Sequence, residues 1–229
     1  MTRDTIERTN KTKEMDTEIW TSMRNKILRP RVQQILYKMM HKAYMVGEKW
    51  TGIPNFKHQA RCQKCRRTES MEHILLECNH NARKIIWEEA KNLWPHGQQD
   101  WPRLSLGTIL GVGCIKVQTI RRPNRNNQQA TQPGNKGKTR LLRILIAKAS
   151  HLIWVLRCER SIQKKKHSIH EIKVRWKKVI NNRLNIDKIT ATKIRREKEF
   201  TKLINKTWKK ALIKVGIPHQ NWMKHQRGF

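Results

Sequence analysis

Three of the chain's five cysteines and one histidine fall inside eighteen positions, RCQKCRRTESMEHILLEC at 61–78. Cys62, Cys65, His73 and Cys78 form the pattern C-x2-C-x7-H-x4-C. A two-residue gap between cysteines lets one tight turn aim both sulfurs at a common point about 2.3 Å away, the geometry zinc needs from tetrahedral sulfur and nitrogen ligands. The spacing therefore predicts a structural Zn2+ site, against the plainer alternative that three thiols and an imidazole simply fill a core. His80 is a weaker rival for the fourth position. Cys114 and Cys158 lie far off in sequence and are expected as buried thiols.

Helix geometry constrains the second ligand pair. His73 and Cys78 are five residues apart, which on an ideal α-helix leaves them about 140° out of phase. A helix begun near Met71 must therefore loosen or end close to Cys78. Asn79 to Asn81 supply the break, and a second helix is expected from about Ala82, with Asn81 placed to cap it.

Charge sets the second constraint. Lysine and arginine number 51 against 17 acidic residues, a formal net charge of +34. That excess points to a polyanionic partner. Residues 140–229 hold 25 basic and 5 acidic side chains, so this segment carries +20 of the total. Nucleic acid, RNA or DNA held through its backbone, fits better than a membrane. No segment combines a wide apolar face with flanking lysines, and LLRILIAKASHLIWVL at 141–156 is too short to span and contains Arg143 and Lys148. It reads as a buried helix. Clustered, odd-numbered cysteines and an N-terminus without an apolar run predict an intracellular protein, nuclear or cytoplasmic and not secreted.

Periodicity predicts a mostly α fold: a small helical domain with a zinc knuckle, followed by a basic helical extension. Residues 1–17 read as disordered, 18–118 as the knuckle-bearing helical domain, 119–139 as a flexible basic linker and 140–229 as the basic helical region. Helices are expected over 18–29, over 31–46 with Gly47 as its C-terminal cap, over 82–94, over 140–160, near 168–184 and around 186–215. The segment LSLGTILGVGC at 104–114 has no clear conformation.

The string RCQKCRRTESMEHILLECNHNARKIIW, with the W-x-x-I-P of Trp50 to Pro54 before it and WPRLSLGTILG after it, resembles the reverse transcriptase zinc-binding family of retroelement polyproteins, most of all its fungal form. The resemblance spans roughly 18–115 and extends more loosely through 141–160. It implies that Cys62, Cys65, His73 and Cys78 are the zinc ligands. It also implies that polymerase or ribonuclease H domains are encoded elsewhere, and that the chain is a truncated or remnant product of such an element. Family members commonly have glycine just after the second cysteine, permitting a left-handed turn, where this chain has Arg66.

Catalysis is not expected. Four protein ligands close a zinc site, whereas a catalytic zinc keeps one position open. Glu69, Glu72 and Glu77 read as helix N-terminal charge and solvated surface, with Glu72 also placed to support a ligand from behind. Asp4, Asp16, Asp100 and Asp187 are the chain's four aspartates, and none is adjacent to another. A two-metal polymerase or nuclease centre needs clustered carboxylates. No phosphate loop, nucleophile elbow or H-E-x-x-H helix is present.

The candidate nucleic-acid contacts are Lys164, Lys165, Lys166, Arg175, Lys177, Lys178, Lys193, Arg195, Arg196, Lys209 and Lys210, clustered on expected helices. Such clusters neutralise phosphates without reading sequence. Trp176 and Trp208 lie among them, and their helical spacing with apolar neighbours favours core packing over base stacking. The expected function is thus a non-catalytic, zinc-binding, nucleic-acid-binding module. The alternative is a zinc-stapled structural or protein-interaction module whose basic tail docks an acidic partner.

Overall fold

The computed structural model describes residues 1–117, 135–194 and 198–216. The expected mostly α architecture is what is found. The helices are α1 (Thr2–Asn10), α2 (Asp16–Ser22), α3 (Pro30–Met40), α4 (Asn81–Leu93), α5 (Leu106–Leu110), α6 (Lys136–Gln163), α7 (Ile169–Lys193) and α8 (Lys198–Lys214). Among the described residues the only β feature is an isolated bridge between Arg61 and Thr68. No helix there is long and apolar enough to cross a membrane.

The apolar stretch at 141–156 becomes the spine of the molecule. Leu141, Leu142, Ile144, Leu145 and Ile146 of α6 are all but fully buried, as an all-round hydrophobic helix must be. Helices α3, α4, α5, α7 and α8 all pack on it. One hydrophobic cluster joins Ile19, Leu36, Ile86 and Ile115 from the first half to Ile172, Ile180, Ile204 and Trp208 from the second. The basic helices are therefore a wall of a shared core. Most of the expected linker, its residues 119–134, lies outside the described residues. Its last part, Lys136 to Thr139, is the first turn of α6, capped by Asn135 Oδ1, which accepts from the Gly137 and Lys138 amides.

The N-terminal expectation is corrected: residues 2–10 are helical rather than disordered. Two anchors hold α1 down. Ile6 is completely buried where α5 offers no side chain in return; a Cβ on Gly111 would collide with Ile6 Cγ1. The buried Asn10 side chain donates to the Cys114 carbonyl at 3.0 Å and accepts from the Lys116 amide at 2.7 Å. One isoleucine and one asparagine give no helical period, so the polar sequence hides both. The segment 104–114 is thereby explained as well. Ser105 and Thr108 form a capping box for the short α5.

Three helix boundaries also differ from expectation. α2 stops at Ser22, and Leu28 is buried from the turn that follows. α3 ends at Met40, where Lys42 takes the left-handed conformation (φ 50°) and the Ala43 amide reaches back to the Lys38 carbonyl at 2.8 Å. Gly47 is not that cap. α7 runs through Asn185 to Lys193, because Leu184, Asp187 and Ala191 all face the core.

Asp187 is the polar centre of the second half. Its carboxylate accepts two hydrogen bonds from Arg140 at 2.7 and 2.8 Å and one from the Trp208 indole at 2.8 Å, and Arg183 lies 3.2 Å away. Arg183 also donates to the Ile27 carbonyl at 2.9 Å, tying α7 to the loop before α3. All three charged side chains are buried. Asp187→Ala is expected to lower unfolding free energy by about 3–5 kcal/mol, since it strands two buried guanidinium groups. Chemical denaturation checks this; a drop under about 1 kcal/mol would show the network to be dispensable.

Candidate metal centre

The first cysteine pair sits on a turn closed at both ends. The Cys62 amide donates to the Arg67 carbonyl and the Arg66 amide to the Cys62 carbonyl, each at 2.8 Å. Arg66 has φ 63°, the left-handed conformation that glycine adopts without cost. Arg66 thus stands where the backbone favours glycine, and takes the turn under strain.

The second pair solves the phase problem by a change of helix type. After Met71 the chain enters a π-helical turn, His73–Glu77, and the Cys78 amide donates to the His73 carbonyl at 2.7 Å. An i→i+5 turn is wider than an α turn and carries residues five apart toward one face. The expected loosening near Cys78 is present in this form. Helix α4 then closes on the turn: the Trp87 indole donates to the Leu75 carbonyl at 2.7 Å, and Arg83 Nε donates to the Cys78 carbonyl at 2.6 Å. Carbonyls displaced from the regular ladder so gain partners.

α4 begins at Asn81, but its cap is His80, whose Nδ1 accepts from the Ala82 amide at 3.2 Å. The expectation of Asn81 as cap is corrected. The same bond occupies the rival ligand. Burial, and then the positive charges of Arg160 and Lys64, lower the His80 imidazole to about 4.

Among the described residues one group of side chains converges as metal donors do: Cys62, Cys65, His73 and Cys78, with all four ligand atoms within 4.8 Å of one another. Cys62 Sγ lies 3.6 Å from Cys78 Sγ, and Cys65 Sγ lies 3.2 Å from His73 Nε2. Sulfur ligands about 2.3 Å from a tetrahedral ion stand roughly 3.8 Å apart. The donor set and spacing fit a metal ion such as zinc, held by Nε2 of His73. Its Nδ1 is buried and has no hydrogen-bond partner among the described residues, so packing orients this ring.

Electrostatics around the thiols favours a thiolate at Cys62. Burial alone raises its pKa. Hydrogen bonds from His73 and from the Cys65 and Lys64 backbones outweigh that and hold it down to about 6. Burial, together with the adjoining Cys62, pushes Cys78 up to about 12. A cation placed between them removes that conflict by taking charge from both.

Glu69 is not the solvated surface charge expected of it. It is buried, and its carboxylate pairs with Arg157 of α6, with Arg157 Nε at 3.1 Å from Oε2 and Arg160 at 3.9 Å from Oε1. Sequence offered no signal for this, because the partner lies 88 positions away. Glu72 and Glu77 instead line a cleft of about 880 Å3 with Arg8, Lys11 and Asp100. Neither Cys114 nor Cys158 belongs to the donor group, as expected; Cys114 is the buried thiol foreseen, whereas Cys158 is only half-buried.

The basic candidates divide. Lys164, Lys165, Lys166, Lys177, Lys178, Lys193, Lys209 and Lys210 are exposed. Arg175 is committed to Glu159 through two bonds of 2.5 and 2.7 Å. Arg195 and Arg196 lie outside the described residues. Trp176 and Trp208 are buried, which places them in the core rather than against bases.

Comparison of the chain with protein-family models, with curated protein sequences and with solved structures finds no match.

The strained turn and the thiol electrostatics each lead to a measurable outcome. Arg66→Gly is expected to stabilise the metal-loaded protein by about 0.5–1 kcal/mol, read by thermal unfolding; destabilisation would mean the arginine side chain supports the turn. Affinity for a metal probe such as Co2+, read by its visible absorption, is expected to fall steeply from about pH 7.5 to about pH 5.5. Binding requires deprotonated thiols, so protons compete as pH drops. A flat profile would exclude thiolate ligation.

Proposed function

We propose that the chain is a non-catalytic module that holds Zn2+ at Cys62, Cys65, His73 and Cys78 and binds nucleic acid through its phosphate backbone. In this reading it acts as the zinc-binding segment of a retroelement reverse transcriptase does, holding RNA or DNA for polymerase or ribonuclease H domains encoded elsewhere. The observation that carries it is a four-ligand clip in a chain of net charge +34. Cysteine-rich donor sets select zinc over magnesium or calcium, which take oxygen. Four protein ligands leave no open position for a reacting water.

The charge distribution supports the partner class. Exposed lysines at 164–166, 177–178 and 209–210 stand on or beside helices held rigid by a common core. Backbone binding of this kind needs density of charge rather than particular side chains.

The test is a binding series with single-stranded RNA and duplex DNA. With about six phosphates neutralised, affinity is expected to fall roughly a thousandfold between about 50 and 200 mM salt. Lys177→Gln with Lys178→Gln is expected to flatten the plot of log affinity against log salt, its slope falling by about one for each phosphate that the variant leaves unneutralised. Negligible binding at low salt, with capture of an acidic polypeptide instead, would replace this reading with the protein-docking one.

A further inference from the structure

Among the described residues, exposed aromatic rings stand on α2 and α3, where Trp20 and Tyr37 flank His41, and beside the metal clip, where they meet the denser run of cations. Residues 47–68 carry six lysines and arginines against one acid, Glu48. In their midst Phe56 is 44% exposed. Its ring centroid is 5.8 Å from that of Trp50 and 6.5 Å from that of His58, the latter pair stacked at 21°. Trp50 is itself held in place, its indole donating to the Met45 carbonyl at 2.9 Å. Neighbouring rings that keep a face open to water, where burial would be favourable, call for a ligand.

The platform is built into the clip. Trp50 ends one 3-10 turn (Gly47–Trp50), Phe56 precedes another (Lys57–Ala60), and the two turns pack together. Both are fastened to Glu69. The Glu69 amide donates to the Ala60 carbonyl at 2.9 Å. Gly47, at φ +60°, lies so close that a Cβ there would collide with the Glu69 carbonyl oxygen. The same Glu69 is clamped by Arg157, so the rings rest on a rigid base. Lys57, Arg61 and Lys64 are exposed along this stretch.

Aromatic faces rimmed by cations suit unpaired bases: the base stacks on the ring while lysine and arginine take the adjoining phosphates. A duplex presents the charge but keeps its base faces internal. An acidic protein would satisfy the cations and leave the rings unused. We infer that Trp50, Phe56 and His58, with Lys57, Arg61 and Lys64 at their edge, form a contact site for single-stranded nucleic acid. This rests on the nucleic-acid reading above and locates where it would distinguish single strands from duplex.

Fluorescence anisotropy on the full chain tests it, with labelled oligo-U, oligo-dT and a duplex of equal length as probes. Phe56→Ala is expected to weaken both single strands about tenfold at fixed salt, while leaving duplex affinity, salt slope and bound zinc unchanged. Phe56→Trp is expected to retain or improve single-strand binding. The site is overturned if wild type binds single strands and Phe56→Ala and Phe56→Trp bind them equally well; backbone binding by the lysine clusters would then stand alone. If wild type binds none of the three probes, the nucleic-acid reading itself falls, and this site with it.

Discussion

The hydrogen bond from the Cys78 amide to the His73 carbonyl is the constraint on which the site depends. In an α-helix these two residues would point about 140° apart, and no single ion could be held by both. By letting the turn widen to π geometry, the chain brings Cys78 back toward Cys62 and keeps His73 facing Cys65. Such a turn is costly in isolation, since it spoils the regular ladder. Here Trp87 and Arg83 of α4 take up the Leu75 and Cys78 carbonyls, so the distortion is stabilised by the next helix.

The clip is continuous with the core. Glu69 leaves the knuckle directly into a buried pairing with Arg157, which also lies 5.4 Å over the Trp154 ring. A buried carboxylate without partners would be strongly disfavoured, so the knuckle and α6 are held to one relative position. Glu69 also anchors the two 3-10 turns through its backbone. Metal clip, aromatic platform and helical spine therefore share one residue that is itself no ligand.

Much of this was legible in the sequence for definite reasons. The ligand set was readable because cysteine and histidine spacing encodes coordination directly, and the five-residue step foretold a departure from α geometry. Helix α6 was readable from its dense apolar run, which only a few polar residues such as Arg143 and Lys148 interrupt. The N-terminal helix was not, because its attachment rests on Ile6 meeting Gly111 and on Asn10 meeting the Cys114 carbonyl, contacts between segments about a hundred positions apart. Glu69 and Asp187 were obscure for the same reason. Both look like surface acids in a basic chain, and only the fold supplies their arginines. Residues 140–229 carry most of the net charge, whereas exposed rings beside cations can be recognised only once burial is known.

The central claim is that Cys62, Cys65, His73 and Cys78 together hold one zinc ion. X-ray absorption at the zinc edge, on protein purified without chelator, tests it most directly. The account predicts one zinc per chain surrounded by three sulfurs at about 2.3 Å and one nitrogen at about 2.0 Å. Protein that carries no zinc, or zinc in a shell dominated by oxygen, would contradict it.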